Sequence, residues 1–126
     1  LLQKFSKKNK ILNSYLVNQS GLVISTYEEN LVCHEFAKLT QTQIFEIISP
    51  QIVSLFSFIS VSMNTNPSRF VKILLNEYYS IVVFFKGPYG LIFYLKNEDL
   101  KEIENIDEKM SSLITEVEEE IKKITT

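Results

Sequence analysis

Side-chain catalysis needs converging polar groups: a nucleophile beside a base, a pair of carboxylates, or a set of metal ligands. Few residues here could take part. His34 is the only histidine and Cys33 the only cysteine. A site needing two histidines, an intrachain disulfide and a thiolate metal cluster are therefore excluded within one chain. Cys33 and His34 are adjacent, and in an extended segment neighbouring side chains point in opposite directions, a poor arrangement for a nucleophile and its base. A buried small thiol and an imidazole at the surface or at a helix start explain them better. The three glycines, Gly21, Gly87 and Gly90, all sit in apparent turns, so no glycine-rich loop is present to cradle a phosphate. The sequence predicts no enzyme, no cofactor and no metal.

Charge is unevenly placed. Residues 1–10 carry Lys4, Lys7, Lys8 and Lys10 with no acid, whereas residues 97–126 carry ten acids against four lysines. Two solvated faces account for this; the alternative is a polarised docking surface. The lysines could hold phosphate or anionic lipid, but a loose cluster is non-specific. A net charge of −2 speaks against a general nucleic-acid binder, which normally has a basic excess. Tyr15, Tyr27, Tyr79, Phe84, Phe93 and Tyr94 would suit a base-stacking platform, yet the RNA-recognition glycine–aromatic motif is missing. Those rings are expected under helices.

The composition, 45% apolar and 22% charged over 126 residues, suits one globular domain spanning 1–126. A lone thiol fits a reducing compartment, so a cytoplasmic location is expected. The first ten residues lack the apolar core and cleavage site of a signal peptide. The sequence starts at Leu1 without Met, compatible with a piece of a longer protein. The uncharged stretch from Ile47 to Met63 holds five serines and Pro50; a buried or interface helix explains it better than a membrane span.

The elements that must position any site follow from periodicity. Leu1–Lys8 reads as the end of a helix. ILNSYLV (11–17) and LVISTY (22–27) read as strands joined by Asn18-Gln19-Ser20-Gly21; Glu28-Glu29-Asn30 ends the second. Over residues 35–63 Phe36, Leu39, Ile44, Ile47 and Ile48 recur at helical spacing. Pro50 after Ser49 marks a kink or a fresh helix start. Beyond it Ile52, Leu55, Phe56, Ile59 and Met63 form a stripe, with Phe58 and Val61 on its far side. This helix is apolar beyond one face, as a sandwiched helix would be. Asn64–Ser68 is a loop. Three strands follow, Arg69–Leu75, Tyr79–Phe85 and Leu91–Leu95, the last two joined through Lys86–Gly90. Lys72 and Arg69 mark the first as half-wet or an edge. The other two read as central. Asn97 is the expected N-cap of one helix running to about Lys123, with Leu100, Ile103, Ile106, Met110, Leu113, Val117, Ile121 and Ile124 as its apolar stripe.

The expected architecture is α/β, an α+β sandwich: a five-stranded antiparallel sheet with helices on both faces, in the order α-β-β-α-β-β-β-α. In that order, with the opening hairpin ILNSYLVNQSGLVIST and the spacing from Gly21 through a long helix to FVKILL, SIVVFF and GLIFYL, the chain resembles the roadblock/LC7 family over nearly its whole length. Two departures stand out: Pro50 interrupts the second helix, and the first helix is short. The longin fold has a related order and usually lacks the leading helix, which makes it the rival.

The resemblance implies work by interface. Roadblock domains generally dimerise by pairing the third strand edge to edge and packing the second helices together, then serve small Ras-like GTPases or scaffold larger complexes. Carried to this sequence, the contacts would come from Ile52, Leu55, Phe56, Phe58, Ile59 and Val61, and from Arg69, Phe70, Lys72, Ile73 and Leu74. The expected partners are a second copy or a related chain and a small GTPase, with no nucleic acid and at most indirect membrane contact. Arg69, the only arginine, stands at the mouth of a strand and reads as structural, so no arginine finger is expected. The alternatives are a longin-type trafficking module that binds a peptide or SNARE-like segment, and a ligand-sensing pocket domain.

Overall fold

The computed structural model describes the backbone of residues 2–28, 33–34, 39–62 and 70–125, and the side chains of residues 2–28, 43–55 and 71–124. Helix α1 (Leu2–Lys8) leads into strands β1 (Asn13–Asn18) and β2 (Val23–Glu28), and a small pair follows, β3 (Cys33–His34) and β4 (Leu39–Thr40). Helix α2 (Gln41–Ser62) and strands β5 (Phe70–Leu74), β6 (Tyr79–Lys86) and β7 (Tyr89–Lys96) come next, then helices α3 (Asn97–Glu102) and α4 (Ile106–Thr125). Five strands form one antiparallel sheet in the order β2-β1-β7-β6-β5.

The two hairpins follow from their turns. Asn18 accepts hydrogen bonds from the backbone N–H groups of Ser20 and Leu22 through its side-chain oxygen, at 2.9 and 3.0 Å, an arrangement typical of turn-forming Asn. Between β6 and β7 only Gly87 and Pro88 intervene, with Gly87 at φ 61°, so the turn is tighter than the expected five residues. β2 also carries an extra residue, Ile24, between the pairs Leu16–Ser25 and Val17–Val23. That is a β-bulge on an edge strand.

Strand alternation sends two sets of side chains to two cores. On one face Leu16, Val82, Phe84, Leu91 and Phe93 pack with Leu2 of α1, Leu100 of α3, and Met110, Leu113, Ile114 and Val117 of α4. On the other, Tyr15, Val17, Ile81, Val83 and Ile92 pack with Phe45 of α2. Tyr15 stacks on Phe45 with centroids 4.6 Å apart. Helices thus cover both faces, and β7 and β6 are apolar on each.

Three expectations change. Leu39 belongs to β4, not to the helix, which begins at Gln41; a β-branched and polar run at 40–43 hid that boundary. Phe36, Asn64–Ser68 and Glu29-Asn30 lie outside the described residues. Pro50 neither ends nor restarts α2, which runs through it. Pro50 lies against Gly21 of the β1–β2 turn, where Ser49 Oγ donates to the Gly21 carbonyl at 2.7 Å. The single C-terminal helix divides in two: Ile103 is extended at φ −85° and ψ 108°, and Asn105 takes a left-handed φ of 52°, a conformation Asn tolerates better than most residues.

Asn97 is also not the N-cap. Lys96 occupies that position with no side-chain cap bond. The Asn97 amide instead donates to the carbonyls of Asn76 at 3.1 Å and Glu77 at 2.8 Å, and its oxygen accepts from Ser80. It fastens the β5–β6 turn to the start of α3.

Candidate interaction surface

Among the described residues β5 ends the sheet, paired only to β6 through Val71–Val83, Lys72–Val82, Ile73–Ile81 and Leu74–Ser80. In antiparallel pairing, residues alternate between those bonded to the neighbour and those whose backbone groups face away. Leu75 N–H donates to the Tyr79 carbonyl at 3.0 Å, which sets the phase. Ile73 and Val71 bond inward, and the N–H and C=O groups of Phe70, Lys72 and Leu74 point to the open edge. Such an edge is a template for another strand.

Side-chain directions add to this. Lys72 and Leu74 oppose Val82 and Ser80 on the sheet face covered by α4. They are exposed, Leu74 at 72%. Ile73 turns to the other face and packs half-buried against the core under α2. The edge continues into Leu75 and into Tyr78, which is 70% exposed.

Helix α2 has two distinct faces. Phe45 and Ser49 are buried, and Ile48 and Ile52 pack half-buried beside them. Opposite them Ile47, Gln51 and Leu55 form an exposed row at intervals of four, Ile47 and Leu55 each 55% exposed. Side chains four apart on a helix are neighbours, so the row is an outward stripe. Its apolar members have no cover among the described residues.

Of the residues named from sequence, Leu55, Lys72 and Leu74 face outward, while Ile52 and Ile73 turn to the core. Phe56, Phe58, Ile59 and Val61 continue α2 and Phe70 opens β5, with their side chains outside the described residues; Arg69 lies wholly outside them. Cys33 and His34 form β3, again without described side chains. Sequence reasoning missed Ile47, Leu75 and Tyr78 as surface residues, and Phe45 as a fully buried residue of α2. The signal was present: Phe45, Ser49 and Ile52 share one helical face, with Ile47, Gln51 and Leu55 on the other.

Among the described residues, no group of three or more His, Cys, Asp or Glu side chains could hold a metal ion, and no helix is long and apolar enough to cross a membrane.

No protein-family model and no curated protein matches the sequence. Solved structures do match the fold. Myxococcus xanthus MglB superposes with a TM-score of 0.62 at 14% identity, over 97% of this chain and 89% of that one. A Roadblock/LC7 domain from Streptomyces avermitilis gives 0.61 at 15% identity, over 88% and 85%. A structure described as MglB with a tetrameric arrangement gives 0.57 at 10% identity, over 77% and 68%. With the sheet order and the two covered faces in place, the chain has a roadblock/LC7-like fold.

Proposed function

We propose that this chain is a non-enzymatic, dimerising scaffold that pairs with a second copy, or a related chain, along β5 and across the outer face of α2. The joined platform then binds or regulates a small Ras-like GTPase or assembles a larger complex in the cytoplasm. The open backbone edge at Phe70, Lys72 and Leu74 carries this reading. Pairing would satisfy those groups and remove an edge prone to aggregation. The exposed stripe of Ile47 and Leu55 supports it, because an uncovered apolar surface is the usual mark of a docking site. So does the fold: roadblock-type domains work as paired platforms, and one similar structure is described as tetrameric. Helix α1, packed on β1 and β2, sets this chain apart from a longin-type order.

Two proline substitutions test the pairing. The Lys72 N–H points to the open edge, so Lys72→Pro should leave the β6 ladder intact and turn a dimer into a folded monomer by light scattering. The Ile73 N–H bonds inward, and Ile73→Pro should weaken the fold itself, since proline is tolerated only on the solvent side of an edge strand. A wild-type chain that stays monomeric at micromolar concentration, with Phe58→Asp changing neither mass nor stability, would sink the proposal. Capture of small GTPases in each nucleotide state then tests the partner.

A further inference from the structure

Away from β5 and α2, a cleft of about 300 Å³ opens between α1 and α4, lined among others by Lys4, Phe5, Lys8, Lys109, Leu113 and Glu116. Lys4 and Lys8 stand one turn apart on α1, and Lys109 faces them from α4. The floor is apolar: Leu113 is buried, and the half-buried Phe5 ring lies 5.5 Å from Phe93. Ser112 adds a hydroxyl at the wall. Lys10 has a carboxylate partner in Glu102 at 3.5 Å. Among the described residues, no such ion pair joins Lys4, Lys8 or Lys109 to an acid. Lys4, Lys8 and Lys109 reach one cleft from two helices, so an anion placed there would be attracted by three positive charges at once.

We propose that this cleft binds a small organic anion, one phosphate or carboxylate group on a compact apolar or aromatic body. The anionic group sits among Lys4, Lys8 and Lys109, with the Ser112 hydroxyl as a further donor. The body rests on Phe5 and Leu113. The cleft's size is at the small end for ligand pockets, which limits the body to one ring or a short acyl segment. Glu116 on the same wall disfavours a second negative group and so selects against polyanions. A soluble metabolite and a lipid headgroup share this chemistry.

The test is an NMR titration of the chain with phenyl phosphate and, separately, with inorganic phosphate at low salt. Phenyl phosphate should give saturable shifts at Phe5, Ser112 and Leu113 with a Kd of about 1 mM. Inorganic phosphate should bind at least about tenfold more weakly, for want of the apolar contact. Lys109→Glu and Lys8→Glu, both on exposed positions, should each weaken phenyl phosphate by about tenfold with unchanged thermal unfolding. Vesicles containing phosphatidylglycerol, whose headgroup carries one negative group, separate the sources: competition with phenyl phosphate assigns the cleft to a lipid headgroup, and no vesicle binding assigns it to a soluble anion. Three results overturn the proposal: no saturation by about 20 mM phenyl phosphate, equal affinity for the two phosphates, or vesicle binding that phenyl phosphate does not displace.

Discussion

The two long helices of this chain solve the same problem differently. Helix α4 has one apolar stripe, and the sheet buries it from Ile106 through Met110, Leu113 and Ile114 to Val117. Its opposite face is charged, and Ile124, 82% exposed at the far end, is the one large apolar side chain it leaves in water. Helix α2 buries Phe45 and Ser49 and still exposes Ile47 and Leu55. Apolar content matched to the sheet marks a helix that completes its own domain. Apolar content in excess of what the sheet can bury leaves a surface for something else to cover.

The largest effects should come from the inward faces, where the two helices are alike. Phe45→Ala should cost about 4 kcal/mol and Met110→Ala about 3 kcal/mol in urea unfolding, since both side chains are fully buried. A small effect at Phe45 would mean that α2 is not held by this sheet, and the comparison would break.

Next comes the contact that seats α2. A Cβ on Gly21 would lie 2.5 Å from Pro50 Cα, and Gly21 has φ 83°. Gly21→Ala is both strained and overpacked, and should cost about 2 kcal/mol. If an exposed α2 stripe depends on that seating, the same variant should also weaken self-association.

Asn97 probes the other arm. Asn97→Ala removes its bonds to the Asn76 and Glu77 carbonyls and to Ser80, which should cost about 1 kcal/mol. The loss should loosen the β5–β6 turn, read as faster amide exchange there, with little change along α2.

The smallest change in monomer stability should be the most informative. Leu55 is exposed, so Leu55→Asp should shift unfolding of the monomer by less than about 0.5 kcal/mol. On the proposed interface it should nonetheless abolish dimer formation and the dependence of the melting temperature on concentration. Wild-type mass with Leu55→Asp would sharpen the interface to β5 alone. A last probe is alkaline pH: partial burial, then the Tyr79 phenol stacked 5.3 Å away, hold the Tyr94 pKa above its usual value. Its unfolded form loses the proton first, so its contribution is intact below pH 10 and fades as pH rises through the folded value. Tyr94→Phe should flatten that decline slightly.

Much of this was legible in the sequence. The β1–β2 turn, the edge character of the strand holding Lys72, the central β6 and β7, and the α4 stripe all rest on local pattern. What escaped it were positions whose role depends on a distant segment. Asn97 looks like a cap because its neighbours are acidic, yet it reaches back to the carbonyls of residues 76 and 77. Pro50 looks like a break, yet Gly21 makes room for it.

By itself the sequence determined the five strands of the main sheet, the overloaded second helix and the segregation of lysines and acids, because periodicity and turn chemistry are local properties; the small β3–β4 pair and the break between α3 and α4 were not legible in it. Tertiary structure alone decided which of α2's apolar residues serve the core and which face out, since that depends on where Phe45 meets Tyr15. It alone decided which backbone groups of β5 are free, because the phase of an antiparallel ladder is set by its partner strand. And it alone brought Lys109 opposite Lys4 and Lys8 across one cleft, a convergence over a hundred residues of chain that only packing can make.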